Sequence, residues 1–578
     1  MRPVRTYGKL KLCDGRWELS QLEPHVAIRL KQLFPKIPKQ SPGPFHFAND
    51  AITSADLDWF TSRYPFQMSE KDRESLTSGR LAFEFSHAER ERILLPSFIA
   101  PKYLGLKQGK ALRNYQGQAV ELIRSRRRLM IGDEGGLGKT VIAAGFLASE
   151  PQALPAAVVC DPHMQRQWLE KLSEFTHLQV HVIKKARPYE LPPAQVYIFR
   201  ISQIGGWSDI FATGFFKAVI YDEPQSLRTG EVTSKGAAAR VLTDNSQYAV
   251  GLSATPIYNY GVEVWSVMSF IDPSALGAFE DFKREWVDHN DRINDPKALG
   301  TYLREQHAMI RRLKSDVGLE LPKVSRIIEY VDYDQKTVDS IEELAKRLAI
   351  KASTGSFVER GQAIRELDMM VRQATGLSKA KAVAQFVRLL VEAGESVLLL
   401  GWHRSVYDIW LRELADLDPA MYTGSESASK KNAEISRFKS GSTKIMIMSL
   451  RSGAGVDGLQ HVCSTVVFGE LDWSPGVHAQ IIWRVDRDGQ PDPVTAFFLV
   501  SDEGSDPPIM DVLGIKASEA TQIVDPHLGV QIVDDDTTPL QRLVDRYLTR
   551  SKVKATQELG FLPQQIDSEK RAGQETLF

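Results

Sequence analysis

The chain has 578 residues, of which 43% are hydrophobic and 25% are charged, a composition typical of a soluble globular protein. It excludes an intrinsically disordered chain, a collagen-like fibre and a small disulfide scaffold. Lysines and arginines number 72 against 73 aspartates and glutamates, for a formal net charge of −1. A nucleic acid would therefore have to be held by a local basic surface.

The cysteines and the apolar runs narrow the class of protein further. Cys13, Cys160 and Cys463 lie far apart, so no Cys/His spacing in the sequence predicts a tetrahedral zinc site, and a disulfide framework is not expected. The N-terminus has no apolar core of signal-peptide length, and no uncharged apolar run approaches the roughly 18 residues of a membrane span. We expect a cytoplasmic protein with no membrane partner.

Residues 1–105 are predicted to form an accessory region. The spacing of apolar residues over Pro24–Phe34 predicts an amphipathic helix, which ends at a proline-rich stretch. A second short helix is predicted near Thr53. The region contains no motif with evident chemistry.

From about residue 106, short apolar runs alternate with helical stretches. The predicted strands are 129–131, 157–160, 196–199, 218–221 and 249–252, then 397–400, 445–448, 465–468 and 496–500. Near-continuous apolar strands between helices predict parallel sheets covered on both faces. The predicted fold class is α/β, with lobes at 106–261 and 376–530, a mainly helical insertion at 262–375 and a charged tail at 531–578.

A glycine-rich loop, IGDEGGLGKT, occupies residues 131–140 between a predicted strand and a predicted helix. In that context, backbone N–H groups can turn toward a triphosphate, and the helix N-terminus favours the anion. Lys139 would contact the phosphates, and Thr140 would bind a Mg²⁺ ion. Asp133 replaces the usual first glycine, so a chance glycine turn remains the alternative. The residues predicted to contact the nucleotide here are Asp133, Gly136, Gly138, Lys139 and Thr140.

An acidic pair follows the predicted strand at 218–221. Asp222 and Glu223 would lie at the carboxyl end of a parallel strand, where such sheets bind their ligands. Asp222 would hold Mg²⁺, and Glu223 would orient and deprotonate the attacking water. Alone, such a pair is more often a solvated loop. With the glycine loop upstream, it predicts ATP hydrolysis.

These motifs and their neighbours, taken in order, resemble a superfamily-two helicase core, and more narrowly the Swi/Snf-type DNA-translocating ATPases. The resemblance covers roughly residues 106–505 and implies two RecA-like lobes in a compact bacterial or phage-like member. Besides DEGGLGKT and DEPQ, the segments that carry it are LRNYQ at 112–116, GLSATPIYNYGVEVWSVMSFIDPSALG at 251–277, MIRRLKSDVGLELPK at 309–323, VLLLGWH at 397–403, SGAGVDGLQ at 452–460 and QIIWRVDRDGQ at 480–490.

The resemblance implies roles for residues of both lobes. Gln116 would read the adenine edge, and Gln480 would line the cleft between the lobes. Arg484 and Arg487 take the places of the arginine fingers and would neutralise charge on the γ-phosphate. The alternative for the two arginines is surface salt bridges.

Three further residues would couple nucleotide state to DNA. The resemblance implies that Ser253 and Thr255 do so from lobe 1. Gln225 replaces a histidine that is commoner in the family; its amide can still hydrogen-bond across to the second lobe but cannot titrate near neutral pH. Asp486 also stands where the family often has histidine.

DNA contacts are expected from loops beside the motifs, mainly to backbone phosphates. Arg311, Arg312 and Lys314 are the candidate basic patch. The predicted DNA-contacting residues are His163, Gln165, Ser202, Gln203, Ser452 and Gly453.

The predicted function is an ATP- and Mg²⁺-dependent motor that tracks along double-stranded DNA, including branched or forked DNA. A protein partner could bind through residues 1–105. Three alternatives stay open: a strand-separating DNA or RNA helicase, the motor subunit of a restriction, recombination or defence complex, and a non-catalytic scaffold.

Overall fold

The computed structural model describes residues 5–162, 164–255, 263–288, 293–318, 322, 324–354, 356–450, 456–511 and 513. Three of the predicted DNA contacts, His163, Ser452 and Gly453, lie outside these residues, as does the predicted tail at 531–578. Among the helices in the described ranges, none is long and apolar enough to cross a membrane.

The N-terminal unit is a three-stranded antiparallel sheet packed against helices. Its core includes Trp17, Leu30 and Phe60, all fully buried. The two predicted helices are confirmed, whereas the sheet and the long third helix are additions to the prediction. The elements are β1 (Lys9–Cys13), β2 (Arg16–Ser20), α1 (Pro24–Leu33), β3 (Phe45–Ala48), α2 (Ala51–Arg63) and α3 (Glu70–Leu94).

Lobe 1 is a seven-stranded parallel sheet in the order β10-β4-β9-β8-β5-β7-β6, with buried strands between helical layers. All five strands predicted from its apolar runs are present. Its elements are α4 (Asn114–Arg126), β4 (Arg128–Ile131), α5 (Lys139–Ser149), β5 (Ala156–Cys160), α6 (Gln165–Phe175), β6 (Val180–Val182), β7 (Val196–Arg200), α7 (Ser208–Ala212), β8 (Ala218–Asp222), α8 (Ser234–Asp244), β9 (Tyr248–Leu252) and the edge strand β10 (Met309–Ile310).

The middle of the chain, over residues 263–392, is mainly helical and also supplies one edge strand to each sheet. Strand β10 pairs with β4 of lobe 1, and β11 (Val324–Tyr330) pairs with a strand of lobe 2. Helix α15 is 36 residues long and runs across the predicted boundary at residue 375. The helices are α9 (Glu263–Ser269), α10 (Pro273–Leu276), α11 (Phe279–Trp286), α12 (Pro296–Glu305), α13 (Gln335–Asp339), α14 (Glu342–Thr354) and α15 (Phe357–Glu392).

Lobe 2 is a six-stranded parallel sheet in the order β11-β16-β15-β12-β14-β13. The four strands predicted from its apolar runs are present, and two edge strands complete the sheet. Its elements are β12 (Val397–Gly401), α16 (Arg404–Glu413), β13 (Ala420–Tyr422), α17 (Ala428–Lys439), β14 (Ile445–Ser449), β15 (Thr465–Phe468), α18 (Pro475–Val485) and β16 (Val494–Val500).

Parallel strands bring the predicted motifs of lobe 1 to one edge of its sheet. The glycine loop follows β4, the acidic pair ends β8, and Ser253 follows β9. Strands β4, β9 and β8 are consecutive neighbours, so the three loops meet at their carboxyl ends.

Candidate nucleotide site between the lobes

A cleft of about 400 Å³ lies between the two lobes. It brings together most of the residues that the sequence predicted for nucleotide binding and catalysis. From lobe 1 these are Gln116, Gly136, Gly138, Lys139, Thr140, Asp222 and Glu223, and from lobe 2 they are Gln480, Arg484 and Arg487.

The glycine loop is shaped for an anion. Gly136 and Gly138 have φ angles of 91° and 75°, in the left-handed region that glycine adopts without strain. Lys139 begins α5, and its Nζ donates to the carbonyls of Asp133 and Glu134 at 2.6 and 3.2 Å. Burial lowers the pKa of Lys139 to about 8. An anion in the cleft would stabilise the ammonium form.

The prediction that Asp133 contacts the nucleotide is wrong, because its side chain does not line the cleft. The carboxylate is fully buried and forms an ion pair with the Arg312 guanidinium. The backbone N–H of Arg312 also donates to it, at 3.1 Å. The aspartate therefore ties the glycine loop to the segment after β10 and does not face the nucleotide.

The acidic pair lies at the end of β8, beside Lys139. Trp168 Nε1 donates to Asp222 Oδ2 at 2.8 Å. Burial, reinforced by the neighbouring Glu223, raises the pKa of Asp222. Glu223 has φ 55° and ψ 62°, a left-handed conformation that is uncommon outside glycine and clusters at functional sites.

A chain of hydrogen bonds leads from the acidic pair to the second lobe. Ser253 Oγ donates to Glu223 Oε2 at 2.6 Å, and the Thr255 N–H donates to Ser253 Oγ at 3.0 Å. Gln480 Nε2, on α18 of lobe 2, donates to Thr255 Oγ1 at 3.1 Å. A movement of α18 would therefore be transmitted to the Glu223 carboxylate through these three hydrogen bonds. We refer to this chain as the relay.

Gln225 departs from its predicted contact. Its Nε2 donates to Glu223 Oε2 at 2.6 Å, so it supports the acidic pair from within lobe 1. Its Oε1 is buried and has no hydrogen-bond partner among the described residues. The expected bond across to lobe 2 is absent there.

Helix α18 packs its arginine-bearing end directly on the glycine loop. A Cβ added to Gly135 would lie 2.4 Å from Trp483 Cγ, and one added to Gly136 would lie 3.1 Å from Arg487 Cβ. Arg487 Nη1 contacts Asp457 at 2.5 Å. Burial lowers the pKa of Arg484 to about 10, so this guanidinium is still charged at neutral pH.

Gln116 lines the cleft at the start of α4. Its Oε1 accepts from the Arg113 N–H at 3.0 Å, and its Nε2 donates to the Leu137 carbonyl at 3.2 Å. These bonds lock the amide against the glycine loop. A nucleotide base would meet an oriented side chain.

The donor set also fits a magnesium ion. The Thr140 hydroxyl and the Asp222 carboxylate line the same cleft, and both are the hard oxygen ligands that Mg²⁺ prefers.

Two contacts between the lobes are additions to the sequence prediction. Lys314 Nζ lies 2.6 Å from Asp486 Oδ2, and both side chains are buried. Arg113 pairs with Asp488 at 2.5 Å. Asp486 occupies a position where the family often has histidine. That difference was the one sign in the sequence that Asp486 has a basic partner, which the structure shows to be Lys314.

The candidate basic patch, Arg311, Arg312 and Lys314, takes part in the same contacts. The Arg312 charge is taken up by Asp133, and the Lys314 charge by Asp486. Arg311 Nη1 donates to the Gly132 carbonyl at 2.6 Å. The three side chains therefore brace the glycine loop and the lobe interface from within the protein.

Two predicted DNA contacts are likewise corrected. Gln165 is buried, with its amide bonded to the Ile198 carbonyl and to Arg200 Nε. Gln203 is buried and bonds to the Arg200 N–H and the Ile183 carbonyl. Both amides are used inside lobe 1. Ser202 is exposed, and its predicted contact stays a prediction.

The chain resembles proteins of one family. The model of the SNF2-related domain matches residues 58–377. A SWI/SNF-related matrix-associated actin-dependent regulator of chromatin subfamily A-like protein 1 from Xenopus tropicalis is 27% identical over 414 residues, or 68% of this chain and 43% of that protein. An uncharacterized ATP-dependent helicase of Mycoplasma genitalium is 23% identical over 68% of this chain and 40% of its own length. This chain thus spans less than half the length of either relative.

A solved structure, the Sulfolobus solfataricus SWI2/SNF2 ATPase core in complex with dsDNA, is 20% identical. It aligns over 74% of this chain and 96% of its own, with a TM-score of 0.37. The α/β assignment itself rests on the two parallel sheets. With a family model that matches more than half of its length, the chain belongs to the SNF2-related domain family.

Proposed function

We propose that this protein is an ATP-dependent motor that hydrolyses ATP between its two RecA-like lobes while tracking along double-stranded DNA. The observation that carries the proposal is the shared cleft, in which Lys139 and the acidic pair of lobe 1 face Arg484 of lobe 2. Relatives named as an ATP-dependent helicase and as a human DNA annealing helicase and endonuclease support the same class of activity.

The phosphates of ATP would occupy the glycine loop and replace the backbone carbonyls now bonded to Lys139. Mg²⁺ held by Thr140 and Asp222 would supply charge neutralisation at the β- and γ-phosphates. Glu223 would accept a proton from the attacking water. Its carboxylate is oriented by hydrogen bonds from Ser253 and Gln225.

Arg484 and Arg487 would stabilise the negative charge that grows on the γ-phosphoryl oxygens. Because they come from lobe 2, the ATP-bound state favours the closed arrangement of the lobes. A ligand shifts a conformational equilibrium only through its different affinities for the states. The arginine–phosphate contacts supply that difference, and the relay would pass it between Glu223 and α18.

The first experiment measures steady-state ATP hydrolysis by the full chain with duplex, single-stranded, forked and RNA ligands. We expect duplex DNA to stimulate the rate most, and Glu223→Gln to abolish the stimulated rate. Glu231→Gln, which changes an exposed acid on the same lobe, is the matched control and should behave as wild type. An equal rate with every ligand would reject the DNA motor.

The second experiment separates a duplex translocase from a strand-separating helicase. A translocase displaces the third strand of a triplex without unwinding the underlying duplex, whereas a helicase releases a strand from a forked duplex. We expect triplex displacement alone. Unwinding of the fork would favour the helicase, and activity that needs a copurifying nuclease or methyltransferase would favour a motor subunit docked through residues 1–105.

A further inference from the structure

Three potential metal ligands meet where the N-terminal unit touches lobe 1. His87 and Glu91 lie on α3, and His307 lies in the turn before β10. His307 Nε2 lies 2.7 Å from Glu91 Oε1, and the two histidine rings are 4.8 Å apart between centroids. One ligand atom from each residue falls within 4.8 Å of the other two.

Helix α3 and the turn before β10 hold these side chains from opposite sides. His87 and Glu91 are four residues apart on a helix, so they share one face. His307 is 1% exposed and has φ 53°, a left-handed conformation that non-glycine residues adopt rarely. Its N–H donates to the Arg304 carbonyl at 2.8 Å, and its carbonyl accepts from Arg126 Nε at 3.2 Å. The backbone that carries the ring is therefore held on both sides by hydrogen bonds.

Only one nitrogen of this ring, Nε2, has a hydrogen-bond partner in the described part of the chain. Nδ1 of His307 is buried and has no hydrogen-bond partner in the described part of the chain, which is costly for a polar atom. At the other end of the cluster the Glu91 side chain is 55% exposed. The site is thus built on its buried side and open to solvent on the other.

We propose that His87, Glu91 and His307 bind a zinc ion, which fastens the N-terminal unit to lobe 1. Two imidazoles and one carboxylate match the ligand set of three-residue zinc sites, whose fourth position is left to water. Imidazole ligands favour Zn²⁺ over Mg²⁺ and Ca²⁺, which take oxygen. Among the bordering cations, Arg126 is neutralised by Asp272 at 2.7 Å, whereas Arg90 retains a buried Nε without a partner in the described residues.

Such an ion would act on the strand that supports the glycine loop. The N–H groups of Met130, Gly132 and Glu134 donate to the carbonyls of Ala308, Ile310 and Arg312 at 2.9, 2.8 and 2.9 Å. His307 is the residue immediately before this ladder. A zinc ion at His307 would therefore anchor the edge of lobe 1 to α3, independently of whether the cleft hydrolyses ATP.

The test is zinc and cobalt binding by the untagged full chain after dialysis against a chelator. We expect one equivalent of Zn²⁺ by calorimetry, visible absorption bands of low-coordinate Co²⁺ that zinc displaces, and a melting temperature that rises with zinc. His87→Ala and Glu91→Gln should each weaken zinc binding at least about tenfold and remove the cobalt bands. Both residues are partly or well exposed, so these variants avoid emptying the buried His307 position.

The matched controls are Glu89→Gln, which makes the same charge change on α3, and His25→Ala, which removes a surface histidine near Glu23. Both should bind zinc as wild type does. The proposal is overturned if the wild type takes up no zinc, or if His87→Ala and Glu91→Gln retain its stoichiometry and affinity.

Discussion

The two lobes share one architecture and differ in what they bring to the cleft. Lobe 1 contributes the ends of three neighbouring strands, which carry the glycine loop, the acidic pair and Ser253. Lobe 2 contributes chiefly one segment, helix α18 with Gln480 and Arg484, and Arg487 just after the helix ends. Under the proposed function, the groups that bind ATP lie mainly in lobe 1, whereas those that would stabilise the transition state come from both lobes. Hydrolysis should therefore depend on the closed arrangement more steeply than nucleotide binding does.

Removing a lobe 2 arginine should have the largest effect. Arg484→Ala is expected to lower the DNA-stimulated kcat about 10³-fold or more, since an arginine at this position acts on the transition state. Its ATP Kd should stay near wild type, whereas Lys139→Ala should weaken binding as well. Single-turnover hydrolysis and nucleotide titrations separate the two effects. A wild-type kcat for Arg484→Ala would contradict the division of labour between the lobes.

Breaking the buried Lys314–Asp486 pair between the lobes should have the second-largest effect on activity. Lys314→Ala leaves Asp486 buried without its cation, and breaking such a pair costs about 3 kcal/mol. We expect kcat to fall by about a hundredfold, in proportion to the loss of the closed arrangement. The exchange Lys314→Asp with Asp486→Lys should recover part of the rate. Arg312→Ala, which breaks a pair inside lobe 1, should instead lower the melting temperature. Equal effects of Lys314→Ala and Arg312→Ala on both readouts would argue against a specific role for the interlobe pair.

A smaller effect is expected where α18 rests on the glycine loop. In Gly135→Ala the new Cβ would lie 2.4 Å from Trp483 Cγ, and overpacking of this kind costs about 1–3 kcal/mol. The cleft should open, and kcat should fall about tenfold or more. The double variant Gly135→Ala with Trp483→Gly removes the three Trp483 atoms that lie within 2.6 Å of the new Cβ and should regain activity. Failure of that rescue would place the defect in the loop itself.

The smallest effect concerns pH. The pKa of Lys139 is lowered to about 8 by burial, so its ammonium form is lost in the nucleotide-free protein as pH rises through 8. ATP affinity should be constant below that pH and fall by up to about tenfold per unit above it. Lys139→Arg keeps its charge over this range and should flatten the profile. ATP titrations from pH 7 to 9 provide the check, and a flat wild-type profile would contradict it.

The sequence predicted the nine inner strands of the two lobes to within two residues, because buried parallel strands appear as continuous apolar runs. It missed the four edge strands, β6, β10, β11 and β13. It missed the N-terminal sheet, whose short strands KLKLC and RWELS mix apolar and charged residues. It also assigned Gln165 and Gln203 to DNA. A polar residue after a strand has no pattern that separates a solvent-facing side chain from one bonded back into the lobe.

By itself, the sequence determined the balanced composition, the order of the motifs and the loops that follow buried strands, because these depend on neighbours in the chain. Only the tertiary structure decided which charges meet. Asp133 pairs with Arg312, Lys314 pairs with Asp486, and His307 meets Glu91 across 216 residues. Contacts between distant segments leave no periodicity or spacing in the sequence, since they depend on how α3, β10 and α18 pack. The net charge of −1 does not reveal these pairings, because it only counts basic against acidic residues.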